Sequence, residues 1–198
     1  MKICIGLLTN RGMKGKMVTS LLEMIASTPE HEYKVILVEN PYTIAEARNY
    51  LAVQAVKNEC DYLFMVDDDM VFPPETLQVL LSREKDIIGL PFNVKVPRKE
   101  GDIRKLHNVT YAQEADGTII SKEDEPFEVI AIGTGLILIK TDVFKKLSQP
   151  FFDFSTYENG MVKVGEDSWF CYKATENGLK IWVEPTLQGL GHIGDFTY

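Results

Sequence analysis

Residues 62–69 read Tyr62-Leu63-Phe64-Met65-Val66-Asp67-Asp68-Asp69, five apolar or aromatic residues running without a break into three carboxylates. Such a run fits a strand buried on both faces, the pattern of a parallel sheet covered by helices. In sheets of that kind ligands gather outside the carboxyl ends of the strands. The stretch therefore predicts three acids on the rim of a ligand crevice. Two carboxylates about 5 Å apart repel by roughly 3 kcal/mol at an effective dielectric near 20, and a bound cation relieves that repulsion. Hard oxygen ligands favour Mg²⁺ or Mn²⁺, which also bridge phosphates. The competing reading is a solvated turn or a helix cap. It is weakened because the next helix starts only at Pro73-Pro74, out of capping reach of Asp69.

Working outward, the flanking sequence alternates strand and helix. Ile3 to Leu8 predicts a strand that ends in the turn cluster Thr9-Asn10-Arg11-Gly12, and Met17 to Ala26 a helix that stops before Pro29. Tyr33 to Val38 predicts a second buried strand. Thr43 to Lys57 predicts a helix, with Thr43 as N-cap and Glu46 completing a capping box. Beyond the acids, Glu75 to Leu81 predicts a short helix and Asp86 to Leu90 a fourth strand. This alternation is the signature of a doubly wound α/β layer. The second half is less regular. Residues 94–126 are polar and predict a hairpin or loop, while Val129 to Ile132 and Leu136 to Ile139 predict strands flanking Gly133-Thr134-Gly135. Helices at Asp142 to Leu147 and Glu166 to Glu176 follow, then a strand at Ile181 to Val183 and a glycine-rich tail from Gly189 to Gly194.

Composition narrows the function classes. The 198 residues carry 29 acidic and 21 basic side chains, a net charge of -8 that gives no support to a nucleic-acid or anionic-membrane partner. The one local basic cluster, Lys95, Arg98, Lys99, Arg104 and Lys105, reads as a solvated loop. Cys4, Cys60 and Cys171 are odd in number, lack a CxxC pairing and read as reduced thiols, which predicts a cytoplasmic protein. The opening residues are too short for a signal peptide, and no run approaches the roughly 20 apolar residues of a membrane span. Asn108-Val109-Thr110 fits a glycosylation sequon, which without a secretory signal reads as chance.

Two further clusters carry chemistry. Gly165-Glu166-Asp167 places two acids at the start of a helix, where they serve either catalysis or merely the helix dipole. His192 stands among glycines, as a ligand or as a structural side chain. Other signatures fail. Gly12-Met13-Lys14-Gly15-Lys16-Met17 imitates a phosphate loop, but Asn10 stands where its first glycine belongs and Met17 where Ser or Thr should bind magnesium. No GxGxxG follows the first strand, and no GxSxG or HExxH is present.

Taken in order, these pieces resemble the GT-A glycosyltransferases, especially the family-2-like group that includes many bacterial and phage proteins. The resemblance runs from the first strand through Ala47-Arg48-Asn49, Asp67-Asp68-Asp69, Gly133-Thr134-Gly135 and Gly165-Glu166-Asp167 to His192. It implies a Rossmann-like α/β fold with a mostly parallel central sheet flanked by helices. It also implies one domain over 1–198, with a nucleotide-binding half at 1–92 and an acceptor-side half at 93–198. By the same resemblance, Thr9 and Arg11 lie beside the base of a nucleotide-diphosphate sugar, with Glu39 near it. Arg48 helps hold the donor or the acidic loop. Asp67 faces the ribose or a metal-bound water, Asp68 belongs to the donor set, and Asp69 coordinates Mn²⁺ or Mg²⁺ with His192 completing the site. Asp167 is the implied general base and Glu166 positions the acceptor. The chain departs from the family in its brevity and in the region before Gly133, which leaves the acceptor unidentified. Two rivals stand beside this reading: a nucleotidyltransferase of similar fold, which attacks phosphorus, and a non-catalytic nucleotide-sugar-binding module.

Overall fold

The computed structural model describes residues 1–92, 109–110 and 122–193. Most of the polar stretch 94–126, the basic cluster Lys95 to Lys105, Asn108 of the sequon and Gly194 lie outside the described residues.

The first half contributes β1 (Lys2–Thr9), α1 (Gly15–Ser27), β2 (Glu32–Glu39), α2 (Ile44–Lys57), β3 (Tyr62–Asp67), β4 (Met70–Val71), α3 (Thr76–Ser82) and β5 (Ile87–Gly89). Next come β6 (Val109–Thr110), β7 (Phe127–Val129), β8 (Ala131–Ile132), β9 (Leu136–Lys140) and α4 (Thr141–Lys146). The chain continues through β10 (Ser155–Thr156), β11 (Val162–Val164), α5 (Glu166–Glu176), β12 (Ile181–Val183) and β13 (Gly191–His192). Seven strands form the central sheet in the order β2-β1-β3-β9-β5-β12-β7. β1 lies parallel to both β2 and β3, which sets Thr9 opposite Glu39 and Leu8 opposite Asp67. β9 runs antiparallel between β3 and β5, β12 is parallel to β5, and antiparallel β7 closes the far edge. Five of the seven strands thus point the same way, giving the expected mostly parallel α/β sheet.

Strand residues alternate between two cores, which is why the central strands read as unbroken apolar runs. Cys4, Leu63, Met65, Ile137 and Ile139 face the core under α2, α4 and α5, whereas Ile3, Ile5, Phe64, Val66 and Leu138 face α1 and α3. α2 sits close to the sheet because its buried stripe is mostly alanine and because Gly6 lies beneath it. A Cβ on Gly6 would come within 3.0 Å of the Leu51 side chain.

The structure departs from the sequence reading in four places. The antiparallel insertion of β9 was not foreseen, since a strand buried on both faces carries no mark of its direction. The single strand expected over Val129 to Ile132 breaks at exposed Ile130, so that β7 joins the sheet edge while β8 pairs with β6. β2 was expected to be buried, but it is an edge strand. Its Ile36 and Val38 pack into the core while Val35 and Leu37 remain exposed. Finally, the glycine-rich tail holds a strand: β13 pairs antiparallel with β4, setting His192 opposite Met70 just beyond the acidic turn. Among the described residues, no helix is long and apolar enough to cross a membrane.

The predicted start of α2 is present, with the Thr43 hydroxyl oxygen accepting from the Glu46 N–H at 3.1 Å. Thr43→Ala should therefore lower stability by about 1 kcal/mol, read as a lower urea midpoint with an unchanged slope. An unchanged midpoint would show that the cap contributes nothing.

Candidate active site at the carboxyl edge of the sheet

The acidic turn stands at the carboxyl end of β3, where its sequence predicts it. A cleft of about 310 Å³ opens there, lined by Thr9, Arg11, Asp67, Asp68, Asp69 and His192, all singled out in the sequence. Asn10, Lys14 and Ile44 line it too and were not proposed as site residues. The signal for Lys14 lay in the failed phosphate-loop imitation, which does reach the site although it lacks that motif's first glycine. Glu39, Arg48, Glu166 and Asp167 do not line this cleft. Glu39 is exposed at the end of β2, in register with Thr9.

Short bonds knit the cleft wall. The Thr9 hydroxyl donates to Asp68 Oδ2, the Arg11 N–H donates back to Thr9 Oγ1 at 3.3 Å, and the Lys14 N–H donates to the Asp68 carbonyl at 3.0 Å. On the other side of the turn, the Ile193 N–H donates to the Asp69 carbonyl at 2.8 Å. His192 Nε2 lies 3.2 Å from Asp69 Oδ1, and the His192 ring meets Phe92 edge-on. The β13–β4 pairing thus carries a residue from the end of the chain to the third aspartate.

Behind the cleft lies a second cluster, centred on Arg48. The stripe Ala45, Arg48, Ala52, Ala55 follows helical spacing on the buried face of α2, so Arg48 points into the protein from near the helix start. Its side chain is 2% exposed. One NH2 donates to Asp67 Oδ1 at 3.3 Å, Nε donates to Glu166 Oε1 at 3.4 Å, and NH1 donates to the Thr134 carbonyl at 3.3 Å. Thr134 reaches the neighbouring acid: its hydroxyl donates to Asp167 Oδ1 at 3.3 Å and its N–H to Asp167 Oδ2 at 3.4 Å. Gly135 makes room for the first aspartate. A Cβ at position 135 would lie 2.8 Å from Asp67 Oδ2 and 3.0 Å from the Phe92 ring. Thr134 and Gly135 had entered the sequence reading only as parts of a motif, with no role of their own.

Crowding of acids sets the electrostatics. Burial raises the Asp67 carboxyl above its ordinary range, the Arg48 charge opposes this, and the charges of Asp167 and Asp69 add to the rise. Glu166 is pushed from 4.5 up to about 7, first by burial and then by a hydrogen bond shared with Asp167 and by that neighbour's charge, against the pull of Arg48. Among the described residues, no three His, Cys, Asp or Glu side chains converge into a self-sufficient metal cage. Asp69 and His192 offer one oxygen and one nitrogen side by side. That pair fits a divalent ion that draws its remaining ligands from phosphate oxygens and water, the usual habit of Mg²⁺.

No protein-family model matches the sequence, and no curated protein is similar to it. Solved structures do share its fold. A197 from STIV aligns over 98% of this chain and 87% of its own, with a TM-score of 0.66 at 16% identity. S. aureus TarS 1–349, solved in complex with UDP-GlcNAc, aligns over 93% of this chain with a TM-score of 0.51 at 17% identity. This chain spans 56% of the length of that TarS structure. The likeness is one of fold: the chain has the GT-A fold, a mixed α/β sheet flanked by helices.

The state of Glu166 makes stability depend on pH. Its carboxyl binds its proton more tightly folded than unfolded, so unfolding free energy falls as pH rises from about 4.5 to about 7. Glu166→Gln removes this contribution. The variant's urea midpoint should gain on that of the wild type between pH 5 and pH 8. A constant gap would show that Glu166 does not titrate in that window.

Proposed function

We propose that the chain is a glycosyltransferase that moves a sugar from a nucleotide-diphosphate donor to an acceptor hydroxyl. One observation carries the reading. The acids Asp67, Asp68 and Asp69, joined by His192 from the end of the chain, line the cleft at the carboxyl edge of a GT-A sheet. The complex of TarS with UDP-GlcNAc supports the same class of donor here.

In this reading residues 1–92 bind the nucleotide and residues 93–198 face the acceptor. Thr9 and Arg11 flank the base, with Glu39 on the adjoining strand and Asp67 and Asp68 toward the ribose and diphosphate. Asp69 and His192 would hold Mn²⁺ or Mg²⁺, with Asp67 beside them. When bound, the ion stabilises the negative charge that builds on the departing diphosphate. Arg48 stays away from the donor and sets Asp67 and Glu166 in place. Glu166, whose carboxylate is turned to Arg48, influences the acceptor through its neighbour Asp167. The acceptor oxygen attacks the anomeric carbon as the bond from that carbon to the diphosphate oxygen breaks. The bonding pair leaves with the nucleotide diphosphate, and the hydroxyl proton passes to Asp167. Attack on the face opposite the leaving group inverts the anomeric centre. The buried, unpaired Cys4, Cys60 and Cys171 fit a cytoplasmic setting for this chemistry.

The test is calorimetry with UDP-GlcNAc, UDP-glucose, GDP-mannose and dTDP-glucose, each with Mn²⁺ and with EDTA, followed by turnover assays. One donor should bind in a Mn²⁺-dependent manner, and Asp69→Ala should abolish that dependence. Unchanged affinity in the variant would remove Asp69 from the site. Asp167→Asn should bind the donor as the wild type does, yet transfer at least about a hundredfold more slowly. A wild-type rate would remove Asp167 as base, and a nucleotidyl group found on the product would replace the sugar-transfer reading with a nucleotidyltransferase.

A further inference from the structure

We infer that Thr134 is a positioning residue for the general base, a role that rests on the proposed assignment of Asp167. Thr134 is fully buried between two glycines in the turn that joins β8 to β9. Three of its polar groups are engaged. Its carbonyl accepts from Arg48, its N–H donates to one oxygen of Asp167, and its hydroxyl donates to the other.

A carboxylate held at one oxygen still swings about its Cβ–Cγ bond. Held at both, it has a fixed plane, and its remaining lone pairs point in set directions. Arg48 donates to the carbonyl of the same residue, so the turn that aims Asp167 is anchored to the guanidinium that also holds Asp67. Packing alone does not call for threonine here. Valine has the same shape and avoids the cost of burying a hydroxyl, which is recovered only if that hydroxyl has a partner. The partner is Asp167. The backbone N–H is supplied by any residue but proline at position 134, whereas the hydroxyl attachment needs Thr or Ser.

Reaction rates are sensitive to such placement, since a misalignment of about 1 Å costs up to about a hundredfold. Losing one attachment point should cost less, about tenfold. Donor affinity should not change, because Thr134 does not line the cleft.

The experiment uses UDP-GlcNAc with Mn²⁺ and water as the acceptor, so that the released proton still goes to Asp167 and the product read is UDP. Calorimetry with UDP reports donor-site integrity. Thr134→Val should lower kcat about tenfold while leaving KM for UDP-GlcNAc and the affinity for UDP unchanged. Thr134→Ser, which keeps the hydroxyl, should restore kcat to near the wild-type value. An unchanged kcat in Thr134→Val, or a loss in Thr134→Ser as large as in Thr134→Val, would overturn the inference. Should Thr134→Val fail to fold, the same split is read between Thr134→Ala and Thr134→Ser, with equal rates counting against it. Full activity in Asp167→Asn would overturn the assignment of the base on which the inference rests, and absence of UDP release by the wild type would overturn the transferase reading with this donor. Release by the wild type, impairment of Asp167→Asn and no effect of Thr134→Val would overturn the inference alone.

Discussion

A full positive charge inside a protein must be matched, and the arrangement of this site follows from how Arg48 is matched. Removing one partner from a buried ion pair costs about 3–5 kcal/mol, because the charge left behind has no solvent. Arg48 meets that demand with Asp67 at the end of β3, Glu166 at the start of α5 and the Thr134 carbonyl in the turn before β9. These are three separate stretches of chain, drawn from both halves of the molecule. One guanidinium on α2 fixes where they stand relative to one another, and its forked geometry suits several acceptors better than a point charge would.

Asp67 belongs to both sides of the site. It lines the cleft, and it also bonds to the buried arginine. The cleft wall is built from backbone and hydroxyl hydrogen bonds around Asp68 and Asp69, whereas the side facing α5 is built from charge. Gly135 packs directly against Asp67, since a side chain there would displace the Asp67 carboxylate. The cleft and the acid pair at the start of α5 are thus joined through one arginine.

Much of the fold was legible because its central strands are buried on both faces and because α2 and α5 carry ordinary start signals. Thr43 caps α2 as its sequence indicates, and α5 begins and ends where it was placed. What stayed hidden depended on pairing rather than on local preference. The direction of β9 is invisible in Leu136-Ile137-Leu138-Ile139, and the two-residue strands β4 and β13 are too short to leave a pattern. Within the site, the acids of 67–69 could be singled out because carboxylates beyond a buried strand are unusual, while His192 took its role from the family resemblance. Thr134 could not be given a role, because its importance lies in two hydrogen bonds to a residue 33 positions away. Lys14 was set aside with a motif that it only partly resembles, although the turn carrying it does line the cleft.

The central claim is that the cleft beside Asp67-Asp68-Asp69 receives a nucleotide diphosphate together with a divalent ion. A crystal structure of the protein grown with UDP and Mn²⁺ tests it most directly, with the anomalous signal of manganese locating the ion. The account predicts manganese bound to Asp69 and to diphosphate oxygens, with the base of the nucleotide beside Thr9 and Arg11. Manganese or nucleotide bound elsewhere, with this cleft empty, would contradict it.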